Sequence, residues 1–105
     1  AIVEEEIARY GEATQQRILE EKQKEQERIK TLERKYGKVA AKKILEGLAW
    51  IGMTEEMLIE SWGKPDDIDR TITAYGTSKI YTYDLGDYNY QLVYFENGKC
   101  TIIAD

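Results

Sequence analysis

The side chains that could do chemistry in this chain are few. There is one cysteine, Cys100, and no histidine. A nucleophilic thiolate needs a lowered pKa, supplied by a neighbouring imidazole or cation. Without one, Cys100 in an apolar strand reads as a small buried hydrophobe. The lack of histidine also removes Ser-His-Asp triads, Cys–His dyads and His-ligated zinc. Ser61 and Ser78 have no nucleophile-elbow context. Gly47, Gly52 and Gly63 fit neither a Walker A loop nor a dinucleotide fingerprint. The carboxylates Asp66, Asp67 and Asp69, with Asp84, are the residues a cation would use. Their spacing lacks the glycine and closing glutamate of an EF-hand loop. Aspartate is also an ordinary turn residue after a helix stop, and Asp84 and Asp87 flank a second turn in the same way. No spacing demands the paired acids of a glycosidase. No catalytic residue, metal ligand or cofactor is expected.

The tyrosines carry more information. Six of the eight lie in the second half of the chain: Tyr75, Tyr81, Tyr83, Tyr88, Tyr90 and Tyr94. Alternate residues of a strand share a face, so Tyr88, Tyr90, Leu92 and Tyr94 fall on one side. Asn89, Gln91, Val93 and Phe95 fall on the other. Leu92–Phe95 is then apolar on both faces. One face must cover helices, and the other leaves tyrosines exposed as a protein-binding surface. Tyr88, Tyr90 and Tyr94, with Tyr81 as their neighbour, are the candidate binding residues.

Composition bounds what must hold them. The chain has 105 residues, 15 basic and 20 acidic, for a net charge of −5. A positive field of the kind nucleic acid requires is missing. One cysteine forms no internal disulfide. No run approaches the ~18–20 apolar residues of a membrane span, and no signal peptide is visible. Residues 1–48 carry 11 basic and 10 acidic side chains, whereas residues 49–105 carry 4 and 10. The second half is therefore acidic as a unit.

Residues 1–36 read as helix: no proline, one glycine, and mostly strong helix formers. Glu4, Glu5 and Glu6 suit the positive end of a helix dipole. The apolar stripe Ile2, Val3, Ile7, Tyr10, then Ile18 and Leu19, is interrupted from Glu20 to Arg28 and resumes at Ile29, Leu32 and Tyr36. A helix polar all round for more than two turns is solvated there: a stalk, a linker helix or a weak coiled coil. Gly37 is expected to break or bend it. A short amphipathic helix follows, with Val39, Ala40, Ile44, Leu45 and Leu48. Thr54 caps a second short helix whose inward face is Met57, Leu58 and Trp62. Gly63 and Pro65 stop it. Four strands are then expected, over 70–75, 79–85, 88–96 and 99–104. Their separators are Gly76-Thr77-Ser78, Gly86-Asp87 and Asn97-Gly98. Asn-Gly between alternating apolar runs is a strong signal for a two-residue hairpin turn, and Gly98→Val should damage folding because that turn needs φ > 0.

Gly52-Met53-Thr54, a short helix, and then Trp62-Gly63-Lys64-Pro65 resemble the SmpA/OmlA (BamE-like) domains, which belong with the β-lactamase-inhibitor-protein-like folds. Tyr81-x-Tyr83 is similar to the family's aromatic-x-Tyr strand. Leu92-x-Tyr94-Phe95-x-Asn97-Gly98-Lys99 is similar to its penultimate strand and hairpin. The resemblance covers about residues 38–105. It implies an α+β fold with two short helices packed on one face of a three- or four-stranded antiparallel meander. It also implies binding rather than catalysis, in a bacterial protein that is envelope-associated or exported, with the cytoplasm as the alternative. The chain departs from the family in its long charged helix and in lacking a lipid-carrying cysteine near the start. It begins at Ala1 rather than Met, which leaves room for a preceding segment.

The expectation is thus a helical stalk over 1–37 and an α+β domain over 38–105. The domain would be a non-enzymatic interaction module that binds a protein partner through its exposed sheet face, without nucleic acid and without membrane insertion within this chain. Homodimerisation through residues 1–19 and 29–36 would suit the helix. The alternatives are a small-molecule or cation-binding module on Asp66, Asp67, Asp69 and Asp84, or a coiled-coil oligomer whose globular part is a structural cap.

Overall fold

The computed structural model describes residues 12–105. The expected stripe Ile2, Val3, Ile7 and Tyr10, and the acidic Glu4–Glu6, lie outside the described residues, as does most of the first proposed dimer segment. The chain divides into two compact units, Ala1–Ala41 and Lys42–Asp105.

In the first unit, helix α1 spans Glu12–Tyr36, roughly 37 Å at about 1.5 Å per residue. From Glu20 to Arg28 every residue is exposed except Lys22, which is half-buried, as a segment without apolar side chains must be. Lys22 Nζ reaches Glu25 Oε2 at 3.4 Å one turn on. Leu32 and Ala41 are buried. The helix stops at Tyr36, and α2, Lys38–Leu45, begins after Gly37. Among the described residues no helix is long and apolar enough to cross a membrane.

The second unit holds the sheet. Its helix α3 spans Glu55–Trp62. Thr54 Oγ1 accepts the Met57 N–H at 3.3 Å, satisfying one of the donors a helix start leaves unpaired. Strands β1 (Asp67–Thr73), β2 (Gly76–Gly86), β3 (Asn89–Glu96) and β4 (Lys99–Ala104) form an antiparallel meander in the order β1-β2-β3-β4. The architecture is α+β, with a long N-terminal helix, two short helices and a four-stranded antiparallel sheet. The core lies between α3 and one sheet face: Met53, Leu58, Tyr81, Tyr83, Val93, Phe95 and Cys100 are buried together. Ala49, Trp50, Met57, Trp62 and Ile103 pack around them.

Trp62 and Gly63 tie helix to sheet. Trp62 Nε1 donates to Gly47 O at 2.8 Å, and its ring meets Tyr83 edge-on at 5.3 Å. Tyr83 Oη donates to Gly63 O at 2.9 Å. The Gly52–Thr54 segment runs along β4: Gly52 N donates to Cys100 O, and Cys100 N to Met53 O, both at 2.8 Å.

Asn97 (φ 50°) and Gly98 (φ 82°) form the two-residue turn expected between β3 and β4. The other two turns differ from expectation. Gly76, Thr77 and Ser78 belong to β2, and the tip is Ala74-Tyr75. Asn97 holds Thr77 in the sheet: its N–H donates to Thr77 O at 2.8 Å, and its Oδ1 accepts the Thr77 N–H at 3.0 Å. Asp67 and Asp69 accordingly lie in β1, which begins three residues before the expected Arg70. Between β2 and β3, Gly86 pairs with Asn89, so the tip is Asp87-Tyr88 rather than Gly86-Asp87. Asp87 (φ 50°) and Tyr88 (φ 61°) are both left-handed. A bulky residue there is strained by about 1–2 kcal/mol. Tyr88→Gly should therefore raise the unfolding free energy by up to about 1 kcal/mol, since glycine regains entropy in the unfolded chain. Urea titration checks this.

Candidate functional site

The sheet has two unlike faces. On the helix side, Tyr81 stands opposite Val93, and Tyr83 opposite Gln91. On the outer side, one row across the strands is Asp69, Ile80, Tyr94, Ile102. The next is Asp67, Thr82, Leu92, Ala104. Tyr90, opposite Asp84, extends this surface toward the Asp87-Tyr88 turn. Ile80, Leu92 and Tyr94 are half-buried, while Tyr90 and Ile102 are exposed. The result is an aromatic and aliphatic centre edged by Asp67, Asp69 and Asp84. Glu96 also faces outward, across from Lys99.

Of the candidate tyrosines, Tyr90 and Tyr94 share this face. Tyr88 sits at the turn below it, 92% exposed. Tyr81 does not belong with them: it is 4% exposed and packs on Phe95, with ring centroids 5.0 Å apart. The reason is register. A turn at Gly86-Asp87 would pair Leu85 with Tyr88 and set Tyr81 beside Leu92. Moving the turn one residue later would by itself keep Tyr81 on that face, but Leu85 bulges between the Asp84–Tyr90 and Gly86–Asn89 pairs, and this one-residue slip moves Tyr81 to the other face. The aliphatic members Ile80, Leu92 and Ile102 were not among the expected binding residues; alternation within their strands was the signal that could have found them.

Among the described residues no buried polar side-chain atom lacks a hydrogen-bond partner. Glu55 Oε1 accepts Lys79 Nζ at 2.9 Å and Tyr81 Oη at 2.7 Å. Burial alone would raise the Glu55 carboxyl, but these two donors outweigh it and hold it below its ordinary value. Burial, and then the Glu55 carboxylate, raises Tyr81. Burial, and then the Asp66 carboxylate, pushes Tyr83 up to about 12. Burial raises the Cys100 thiol, so it is a poor nucleophile. The aspartates serve the backbone: Asp66 Oδ2 accepts the Asp84 N–H at 2.7 Å, and Asp84 Oδ1 the Gly86 N–H at 2.9 Å. Among the described residues no three acidic or thiol groups gather closely enough to hold a metal ion.

These groups set the pH limits of the fold. Glu55 has a depressed folded pKa, so its contribution is present above its unfolded value and is lost as pH falls through the folded one. Tyr81 and Tyr83 have raised folded pKa values, so their contribution is complete below the ordinary tyrosine value of about 10 and is lost as pH rises beyond it. The melting temperature should fall on both sides of a plateau between about pH 5 and 10. Glu55→Gln should flatten the acid limb.

No family model, no curated protein and no solved structure matches this chain.

Proposed function

We propose that this chain carries a non-enzymatic protein-interaction domain of a bacterial envelope-associated or exported protein, and that it docks its partner on the outer sheet face. The observation that carries this is the outer face itself. Ile80, Leu92, Tyr94 and Ile102 form a continuous apolar patch on the side of the sheet away from α3. Contiguous apolar surface edged by polar groups is what protein docking sites present. Tyrosine suits such sites because a large rigid ring is ordered at little entropic cost. The bacterial and envelope setting rests on the resemblance of Gly52-Met53-Thr54, Trp62-Gly63-Lys64-Pro65 and the Asn97-Gly98 hairpin to the SmpA/OmlA domains. The absence of a catalytic role is supported by the use of Glu55, Asp66 and Asp84 in internal hydrogen bonds.

Site-specific photo-crosslinking in cells of the source organism tests the reading. A photoreactive phenylalanine at Tyr90 or Ile102 should give one discrete adduct. The same probe at Ile59, exposed on α3, should not. Equal labelling from both sides, or none from the outer face, would contradict it.

A further inference from the structure

The two edges of the sheet are treated differently. Gly52–Thr54 pairs with the start of β4 through two backbone hydrogen bonds and a bridge between Thr54 and Lys99. Among the described residues, strand β1 pairs only with β2. It is seven residues long, without proline, and joined to β2 by seven consecutive pairs without a bulge. Every residue of it is exposed. A regular edge of this kind presents unpaired backbone donors and acceptors to any incoming strand.

Its side chains discriminate among incoming strands. Ile68, Arg70 and Ile72 lie on the helix side, opposite Tyr81, Lys79 and Thr77. Ile68 is 46% and Ile72 67% exposed, beyond the cover of the core. Arg70 lines a groove of about 430 Å³ with Glu55, Thr77, Lys79, Phe95 and Asn97. Lys79 is already engaged by Glu55. Among the described residues no carboxylate forms a salt bridge with Arg70. Arg70 and Lys79 are directly opposed across the strands, an arrangement of like charges that an acid beside Arg70 would relieve. On the outer side β1 offers Asp67, Asp69, Thr71 and Thr73.

In the antiparallel registers centred on the middle of β1, a second copy of this chain is a poor occupant. The antiparallel register that matches Ile68 with Ile72 of another copy, in both directions, opposes Arg70 to Arg70. Centring on Asp69 opposes Asp69 to Asp69, and centring on Thr71 sets Ile72 against Arg70. A parallel pairing in register aligns every like charge.

We propose that β1 is a receptor edge that takes an extended segment of another protein as a fifth strand. The segment carries an acidic side chain opposite Arg70, apolar side chains two residues to either side of it, and a basic side chain opposite Asp69. Backbone pairing supplies affinity, and the alternating side chains supply register and selection. This edge borders the outer face but does not include its apolar centre on β2, β3 and β4, so neither reading depends on the other.

The probe is the capped peptide Thr-Val-Thr-Glu-Lys-Val-Thr, titrated against the intact chain and followed by backbone amide NMR. Saturable shifts should concentrate on residues 67–73, half-maximal at about 1 mM or below. Replacing the central Glu of the peptide with Lys should weaken binding about tenfold, the difference between an attractive and a repulsive cross-strand pair. Arg70→Glu should invert that preference, and Arg70→Gln should abolish it; either variant serves if the other folds poorly. Tyr94→Thr, on the outer face, should change neither affinity. Shifts absent from β1 at 1 mM, or equal affinity of the folded parent chain for both peptides, would overturn the proposal.

Discussion

Phe95→Ala is expected to remove about 3–5 kcal/mol of unfolding free energy, the usual range for emptying a fully buried aromatic site. Phe95 is 1% exposed. It stands between Lys79 on β2 and Cys100 on β4, and its ring packs against Tyr81 at 57°. Neighbours on both sides are fixed by strand pairing, so the site cannot collapse to fill the space, and the cavity term adds to the lost transfer energy. The sheet unit, Lys42–Asp105, is small, and domains of this size bury a modest fraction of their surface. Against a typical total of about 5–15 kcal/mol, the variant should be near its folding limit. Trp50 and Trp62 pack against the same core, so urea unfolding followed by tryptophan fluorescence reads the loss directly. Phe95→Leu keeps most of the volume and should lose about 1.5 kcal/mol or less. A loss below about 1 kcal/mol for Phe95→Ala would mean that the core is centred elsewhere.

Gly76→Ala is expected to be nearly as damaging, at about 2–4 kcal/mol, combining backbone strain with a steric clash. Gly76 closes the β1–β2 turn opposite Thr73 with φ 134°, a conformation that side chains rarely adopt. A methyl group there would run into the carboxamide of Asn97. That carboxamide cannot simply swing away, because its Oδ1 accepts the Thr77 N–H. The two hairpin ends are thus packed through one glycine. Thermal melts of Gly76→Ala, Asn97→Gly and the double variant separate the two effects. Removing the Asn97 side chain should relieve the clash and leave the strain, so the double variant should be more stable than the sum of the single losses allows. Additive losses would show that Asn97 does not restrict Gly76.

How much of this was legible in the sequence depends on how local each signal is. The helix break at Gly37, the Thr54 cap, the stop at Gly63-Lys64-Pro65 and the Asn97-Gly98 turn follow from residues adjacent in the chain. The turns at Ala74-Tyr75 and Asp87-Tyr88 do not. Their glycines, Gly76 and Gly86, lie inside β2, one to let Asn97 approach and the other to pair with Asn89. The first need arises from a segment far along the chain, and the two placements leave a tyrosine at the tip of each turn. The bulge at Leu85, between the Asp84–Tyr90 and Gly86–Asn89 pairs, then decides the register of β2 against β3, and with it the face on which Tyr81 lies. Alternation within β3 gave the shared face of Tyr90, Leu92 and Tyr94 correctly, since it needs only one strand. The engagement of Lys79 and Tyr81 by Glu55 was not legible, because it joins a helix start to a strand more than twenty residues later.

The central claim is that the outer sheet face is a docking surface rather than a by-product of folding. It is tested most directly by titrating the cross-linked partner, once purified, into the parent chain and into the Leu92→Thr/Tyr94→Thr variant by calorimetry, with thermal melts alongside. The account predicts that affinity falls by tenfold or more, as for residues at the centre of an interface. Stability should fall by only about 1–2 kcal/mol, the worth of the lost cross-strand pairs. An unchanged affinity in the folded variant would contradict it and place the partner on another surface of the molecule.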